Sequence, residues 1–191
     1  MSCFAPILSL LLRDCTGLPG AAYAQILLQC RLLRTYALAG GEENGISANV
    51  FAPLLVSKHP SLEDLDMWGC PAIADRTLEC IQFGLKGTLK DLNLRGNPLV
   101  TEDGILTLCS ELPQLTQLCL DEDNLLSEGC LDKLTEYFQM PESPSFTYIG
   151  ETDFIFKRGV QRGWARSLTG WLTAGEKPVY PTWCYLHEQC R

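Results

Sequence analysis

Five times along this chain, apolar residues occupy the first, fourth and sixth positions of a short segment that runs on to a ninth position. From Leu89 the pattern reads Leu89, Leu92, Leu94, Asn97 and Leu99. It recurs from Leu115, with Leu118, Leu120, Asp123 in the ninth place and Leu125, and from Leu62, with Leu65, Met67 and Cys70. Two further copies start at Leu33 (Tyr36, Leu38, Gly41) and at Ile7 (Leu10, Leu12, Cys15), so that successive starts lie 26, 29, 27 and 26 residues apart. The second halves align as well. Ile105, Leu108 and Leu112 match Leu131, Leu134 and Phe138, then Leu78, Ile81 and Leu85, and more loosely Tyr23, Ile26 and Cys30. Spacings of three and four place apolar residues on one helix face, and the first half suits a short strand. One such unit cannot bury its own apolar side, so the units must stack into a shared core. The expected fold is α/β, with about five strand–turn–helix repeats over residues 1–140, a parallel sheet on the inner side, and a C-terminal extension over residues 141–191.

Repeats of this form resemble the leucine-rich repeat family, in its ribonuclease-inhibitor-like or cysteine-containing type. The stretch from Cys70 to Leu78, CPAIADRTL, is especially similar to the cysteine-containing type, and the resemblance spans residues 7–140. It implies a solenoid whose concave strand face binds other proteins. The ninth position lies where the chain turns off the sheet and leaves buried backbone groups in need of partners. Asn97 can serve them with its amide, and Cys15 and Cys70 more weakly with a thiol. Gly41 and Asp123 depart from the pattern, so those two turns are expected to be less regular.

Ten cysteines among 191 residues could mean disulfides, metal or buried thiols. Cys15 and Cys70 share a repeat slot, Cys30 falls on an inward helix face, and Cys80, Cys109 and Cys130 lie on or beside helices, where free thiols pack as small hydrophobes. The cysteine clusters that cap extracellular leucine-rich repeats have no counterpart, and none of Asn44, Asn49, Asn93, Asn97 or Asn124 begins a glycosylation sequon. Reduced cysteines and an intracellular setting (cytoplasm, nucleus or an organelle interior) are therefore expected. The apolar run Phe4–Leu12 with Ala22-Tyr-Ala24 after it looks superficially like a signal peptide, but it lacks a basic start and belongs to the first repeat. No stretch approaches a membrane span, and a net charge of −8 argues against a surface that binds nucleic acid throughout.

Charge divides unevenly: residues 1–140 carry 9 basic and 18 acidic side chains, residues 141–191 carry 6 and 5. Between the inward leucines, alternate strand residues are expected to face solvent on the inner curve. These are Thr35, Ala37 and Ala39, then Asp64, Asp66 and Trp68, then Asp91, Asn93 and Arg95, then Gln117, Cys119 and Asp121, with Glu122 following. Five carboxylates against one arginine, with Trp68 among them as an aromatic anchor, suit a basic partner segment. The alternative is a solvated charged face that keeps the protein soluble.

The extension starts at Pro141 and holds nine of the chain's 17 aromatic residues. Val160, Trp164, Leu168 and Trp171 fall on one side of a helix period, and Arg158, Arg162 and Arg166 on the other. This amphipathic stretch, with Trp164 and Trp171, is expected to dock on the solenoid's own C-terminal end, on a second protein, or on a membrane or nucleic-acid surface. Only six residues precede the first repeat, so no cap is expected there, and that end is expected to seek a partner.

Chemistry is sparse. His59 is expected in a solvated turn, and no phosphate loop, HExxH or GxSxG motif occurs. Cys184, His187 and Cys190 have zinc-like spacing, yet a closed structural site needs a fourth ligand. Otherwise neither a cofactor nor a small-molecule substrate is expected. The expected function is a non-enzymatic protein–protein interaction scaffold, as a subunit or assembly factor of a larger complex. The alternatives are a substrate-recognition module of a ubiquitin-ligase type, against which the lack of an F-box-like segment before Ile7 counts, or a regulator of a GTPase or other enzyme.

Overall fold

The computed structural model describes residues 7–13, 15, 17–39, 46–55, 59–121, 124, 126–138 and 154–158. The alternating segments form strands β1 (Ser9–Arg13), β2 (Thr35–Ala39), β3 (Asp64–Asp66), β4 (Asp91–Asn93) and β5 (Gln117–Leu120), joined by β6 (Phe154–Lys157). They lie in one sheet in chain order, with β1 to β5 parallel and β6 antiparallel to β5. Between the strands run helices α1 (Gly20–Gln29), α2 (Ala48–Phe51, continued by a 3-10 turn over Ala52–Leu55), α3 (Asp75–Leu85), α4 (Glu102–Glu111) and α5 (Glu128–Tyr137). The helices pack on one another in sequence as a second layer. Pro53 falls inside the 3-10 turn, where its missing N–H and fixed φ stop a regular helix from continuing. The architecture is thus α/β and repeat-like.

Register follows the sequence repeat. Tyr36, Leu65, Leu92 and Leu118 stand side by side across β2 to β5, with Phe156 next on β6. Leu33, Leu62, Leu89 and Leu115 in the first place, and Leu38, Met67, Leu94 and Leu120 in the sixth, are also fully buried. Against them the helices set Leu78, Ile81 and Leu85, then Ile105, Leu108 and Leu112, then Leu131, Leu134 and Phe138. The first unit is looser. Ile7 is 52 % exposed, and Leu10 and Leu12 are only half-buried, because among the described residues β1 has a neighbouring strand on one side only. On α1, Tyr23 and Leu27 carry the burial rather than Ile26 and Cys30.

Ninth-place side chains tie each unit to the one before. Cys70 Sγ donates to Leu38 O at 3.5 Å, and Asn97 Nδ2 to Met67 O at 3.0 Å. Asn124 Nδ2 reaches Leu94 O at 3.4 Å. Leu38, Met67 and Leu94 are all sixth-place residues, so one repeating bond joins four units. Spacing assigns the fifth unit's ninth place to Asp123, but Asn124, one residue further on, fills it. The chain carries one extra residue there, and an amide can donate where a carboxylate cannot. Cys15 is half-buried, and its carbonyl accepts from the Tyr23 hydroxyl at 3.4 Å. No disulfide links the described cysteines, Cys15, Cys30, Cys70, Cys80, Cys109, Cys119 and Cys130.

The solvated turn expected for His59 is not found, for the residue is 1 % exposed. Its Nε2–H donates to Cys30 O at 3.0 Å, and Nδ1 is buried without a partner. Burial holds this imidazole below its usual pKa, and the charge of Arg31 works in the same direction.

At the other end, part of the extension joins the repeats. Phe156 is fully buried, its ring 5.8 Å from that of Phe138. Arg158 follows β6 in a turn, not the helix its spacing suggests, because its N–H donates to Thr116 O at 2.8 Å in continuation of the β5–β6 ladder. Its guanidinium donates to Pro113 O at 3.2 Å and lies 4.9 Å over the Tyr137 ring. Arg162, Trp164, Arg166, Trp171, Cys184, His187, Cys190, Gly41, Glu122 and Asp123 lie outside the described residues. Among those described, no helix is long and apolar enough to cross a membrane.

Candidate functional site

The sheet face turned away from the helices carries two rungs of mainly polar residues between the leucine rows. One rung is Thr35, Asp64, Asp91 and Gln117, and the other is Ala37, Asp66, Asn93 and Cys119. Parallel strands about 4.8 Å apart bring each of these side chains against its counterpart one repeat away. Thr35 Oγ1 donates to Asp64 Oδ2 at 3.0 Å. On the second rung, Asn93 Nδ2 donates to Asp66 Oδ1 at 2.7 Å, and the same oxygen accepts from Trp68 N at 3.1 Å. Asn93 Oδ1 accepts from Arg95 N at 3.2 Å and Arg95 Nε at 3.1 Å. Gln117 Nε2 approaches Cys119 Sγ at 3.8 Å.

This arrangement changes the expected solvent-facing row. Asp66, Asn93, Gln117 and Cys119 are buried, at 3 % exposure or less. Asp66 and Asn93 satisfy each other across the strands, and Gln117 turns to Cys119 within β5, as buried polar groups must find partners. Asp64, Asp91, Asp121, Arg95 and Trp68 are half-buried and form the accessible part of the face. The pairing of Asp66 with Asn93 had a signal in the sequence: the two lie 27 residues apart, one repeat, with matched donor and acceptor chemistry. What spacing does not convey is that such a pair sinks below the surface.

The turns that leave the strands extend this face. Gly69 and Gly96 adopt φ +64° and +68°, a conformation that favours glycine. A Cβ on Gly96 would stand 3.0 Å from Gly69 Cα, so successive turns stack backbone on backbone. The Gly96 N–H donates to Asp121 Oδ2 at 2.7 Å, which ties the fourth turn to the end of β5. Beneath the turns, Cys70 has its pKa pushed up to about 12 by burial, with the Asp66 charge adding to it. Burial likewise takes Cys109 to about 12 and Cys130 to about 11, so these thiols stay protonated and unreactive. Among the described residues, no three His, Cys, Asp or Glu side chains cluster as they would to hold a metal ion. The face therefore offers carboxylates flanking an indole on a cross-linked polar layer, a surface suited to binding cationic side chains. No protein-family model matches the chain, and no curated protein is significantly similar to it.

Proposed function

We propose that this chain is a leucine-rich repeat protein, of the ribonuclease-inhibitor-like or cysteine-containing type. Its role would be that of a non-enzymatic scaffold, a subunit or assembly factor that binds a basic partner segment on its strand face. The observation that carries this reading is the ninth-place ladder. Cys70, Asn97 and Asn124 each bond to the sixth-place carbonyl of the preceding unit. That is a repeat-specific device, and it builds a rigid strand face in which function resides in the outward side chains. Trp68 supplies aromatic contact area, while Asp64, Asp91 and Asp121 supply complementary charge. Arg95, held by Asn93 on the second rung, limits which cations fit beside it.

Immobilised Lys/Arg-rich and Asp/Glu-rich peptides of equal length test this reading against the full chain. The basic peptide is expected to bind more tightly at low salt and to lose affinity steeply as salt rises. Lysine substitution of Asp64, Asp91 and Asp121 together should weaken that binding by about tenfold or more and flatten its salt dependence. Equal binding of both peptides, or a triple variant that binds like the parent, removes the docking assignment.

A further inference from the structure

The sheet has two outer strands, β1 and β6, and among the strands described each pairs on one side only, β1 with β2 and β6 with β5. Leu8 O accepts from both Arg34 N at 2.7 Å and Thr35 N at 3.1 Å. Successive strand residues point their backbone groups to opposite sides, so Ser9, Leu11 and Arg13 direct theirs away from β2. Apolar side chains collect on the same unit. Among the described residues, Ile7, Leu8, Leu11, Leu18 and Leu32 are exposed, and only Phe83 and Leu99 are large apolar residues exposed elsewhere. An apolar edge strand of this kind is a template for another strand, and soluble proteins usually protect such an edge with charge or proline.

We propose that β1 pairs antiparallel with β1 of a second copy, about a two-fold axis through Leu11, so that the two sheets become one. Two features select this occupant. The outward backbone groups at Ser9, Leu11 and Arg13 are symmetric about Leu11. A two-fold therefore pairs Leu11 with Leu11 of the other copy and Ser9 with its Arg13, and every outward group finds a partner. The exposed apolar residues flank the strand at both ends, with Ile7 and Leu8 before it and Leu18 after it. Only antiparallel pairing lays the start of one strand against the end of the other, so that these residues cover each other. On β1, Leu11 registers with Ala37 of β2, so the paired leucines sit on the strand face opposite the helices.

The experiment is the mass of the full chain by sedimentation or light scattering, up to about 100 µM. The expected result is a concentration-dependent rise from 21.2 kDa towards twice that value. Leu11→Arg places a charge on the axis. Leu11→Pro removes an N–H that points away from β2, so the β1–β2 ladder keeps its bonds. Each is expected to weaken the dimer by about tenfold or more while circular dichroism and melting stay at wild-type values. Phe83→Lys, on the exposed side of α3, should leave the dimer intact. A chain that stays monomeric throughout the range overturns the proposal, as does a dimer that survives both Leu11 variants or one that Phe83→Lys alone dissolves.

Discussion

At the residue scale, the buried amide of Asn97 does what its repeat position demands. Its Nδ2 group donates to Met67 O at 3.0 Å, Leu94 O at 2.8 Å and Arg95 O at 3.1 Å, all carbonyls at the bend where the strand ends. Removing the amide takes a donor from Met67 O, while Leu94 O keeps Asn124 Nδ2 and Arg95 O keeps the Gly69 N–H, so Asn97→Ala should cost on the order of 1–3 kcal/mol in urea unfolding. Asn97→Asp should cost more, since it sets a carboxylate against three acceptors. Equal stability of Asn97→Ala and the parent would mean that the ladder is ornamental. His59 makes a contrasting case. Its partner Cys30 lies 29 residues back, the spacing of the Leu33 and Leu62 starts, but a polar imidazole in a place that Cys30 and Leu112 fill in other units carries no apolar signal of burial. Its pKa is lowered in the folded state, so between that value and the ordinary 6.5 the unfolded chain binds more protons. The stability that His59 contributes is therefore complete above about pH 6.5 and is lost as the pH falls below it. The urea midpoint should drop further between pH 7.5 and pH 5.5 for the parent than for His59→Gln, whose side chain stays neutral. Parallel profiles would show that the buried ring does not titrate with unfolding.

At the element scale, helices in successive units clip to one another at their amino ends. The Asp75 carboxylate in the first turn of α3 accepts from Thr101 N at 2.9 Å and Thr101 Oγ1 at 2.7 Å, and Thr101 is the N-cap of α4. One repeat later, Glu102 accepts from the Oγ and N–H of Ser127, the N-cap of α5, the Oγ at 2.9 Å. Each acidic residue thus stabilises its own helix by position and orients the cap of the next. The spacing of apolar residues made the helices legible, but these clips join polar surface residues whose partners only stacking brings together. Gly104 reports on the clip. A Cβ there would run into the Asp75 carboxylate. Gly104→Ala should ordinarily stabilise a helix by up to about 1 kcal/mol. Here it should give no gain or a net loss, because Asp75 must release Thr101. In an Asp75→Ala background the ordinary gain should return, and a double-mutant cycle by thermal unfolding reads that difference. An additive cycle would separate Gly104 from the clip. Gly84 of α3 is tighter still, since its Cβ would meet Leu54 side-chain atoms on the 3-10 turn. Gly84→Ala should therefore destabilise by about 1–3 kcal/mol through overpacking.

At the scale of the whole molecule, the parallel sheet from Tyr36 to Leu118 was readable because every unit repeats the same inward places, and stacking makes periodicity equivalent to contact. β6 was not readable in that way. Phe154–Lys157 is a four-residue run outside the repeat, too short for periodicity to distinguish strand from helix, and its pairing depends on a return from a distant part of the chain. The acidic row was half legible. Its positions follow from alternation, but whether Asp66 faces water or Asn93 depends on neighbours that a single strand does not specify. The return of the chain explains how the stacked core is finished. Without β6, Leu118 and Phe138 would face solvent beside an unpaired β5 edge, since Phe156 registers against Leu118 and packs its ring on Phe138. Phe156→Ala should accordingly cost about 3–5 kcal/mol, while Phe156→Leu should cost less than half as much. The Ala variant should also bind a hydrophobic dye such as ANS at temperatures where the parent does not. Arg158 pins the end of the same strand through Thr116 O and Pro113 O. Arg158→Ala should destabilise more mildly, by about 1 kcal/mol, because its backbone bond survives the change. If Phe156→Ala unfolds at the parent's urea midpoint, β6 is not the closing element of the core, and the end of the stack must be covered by other means.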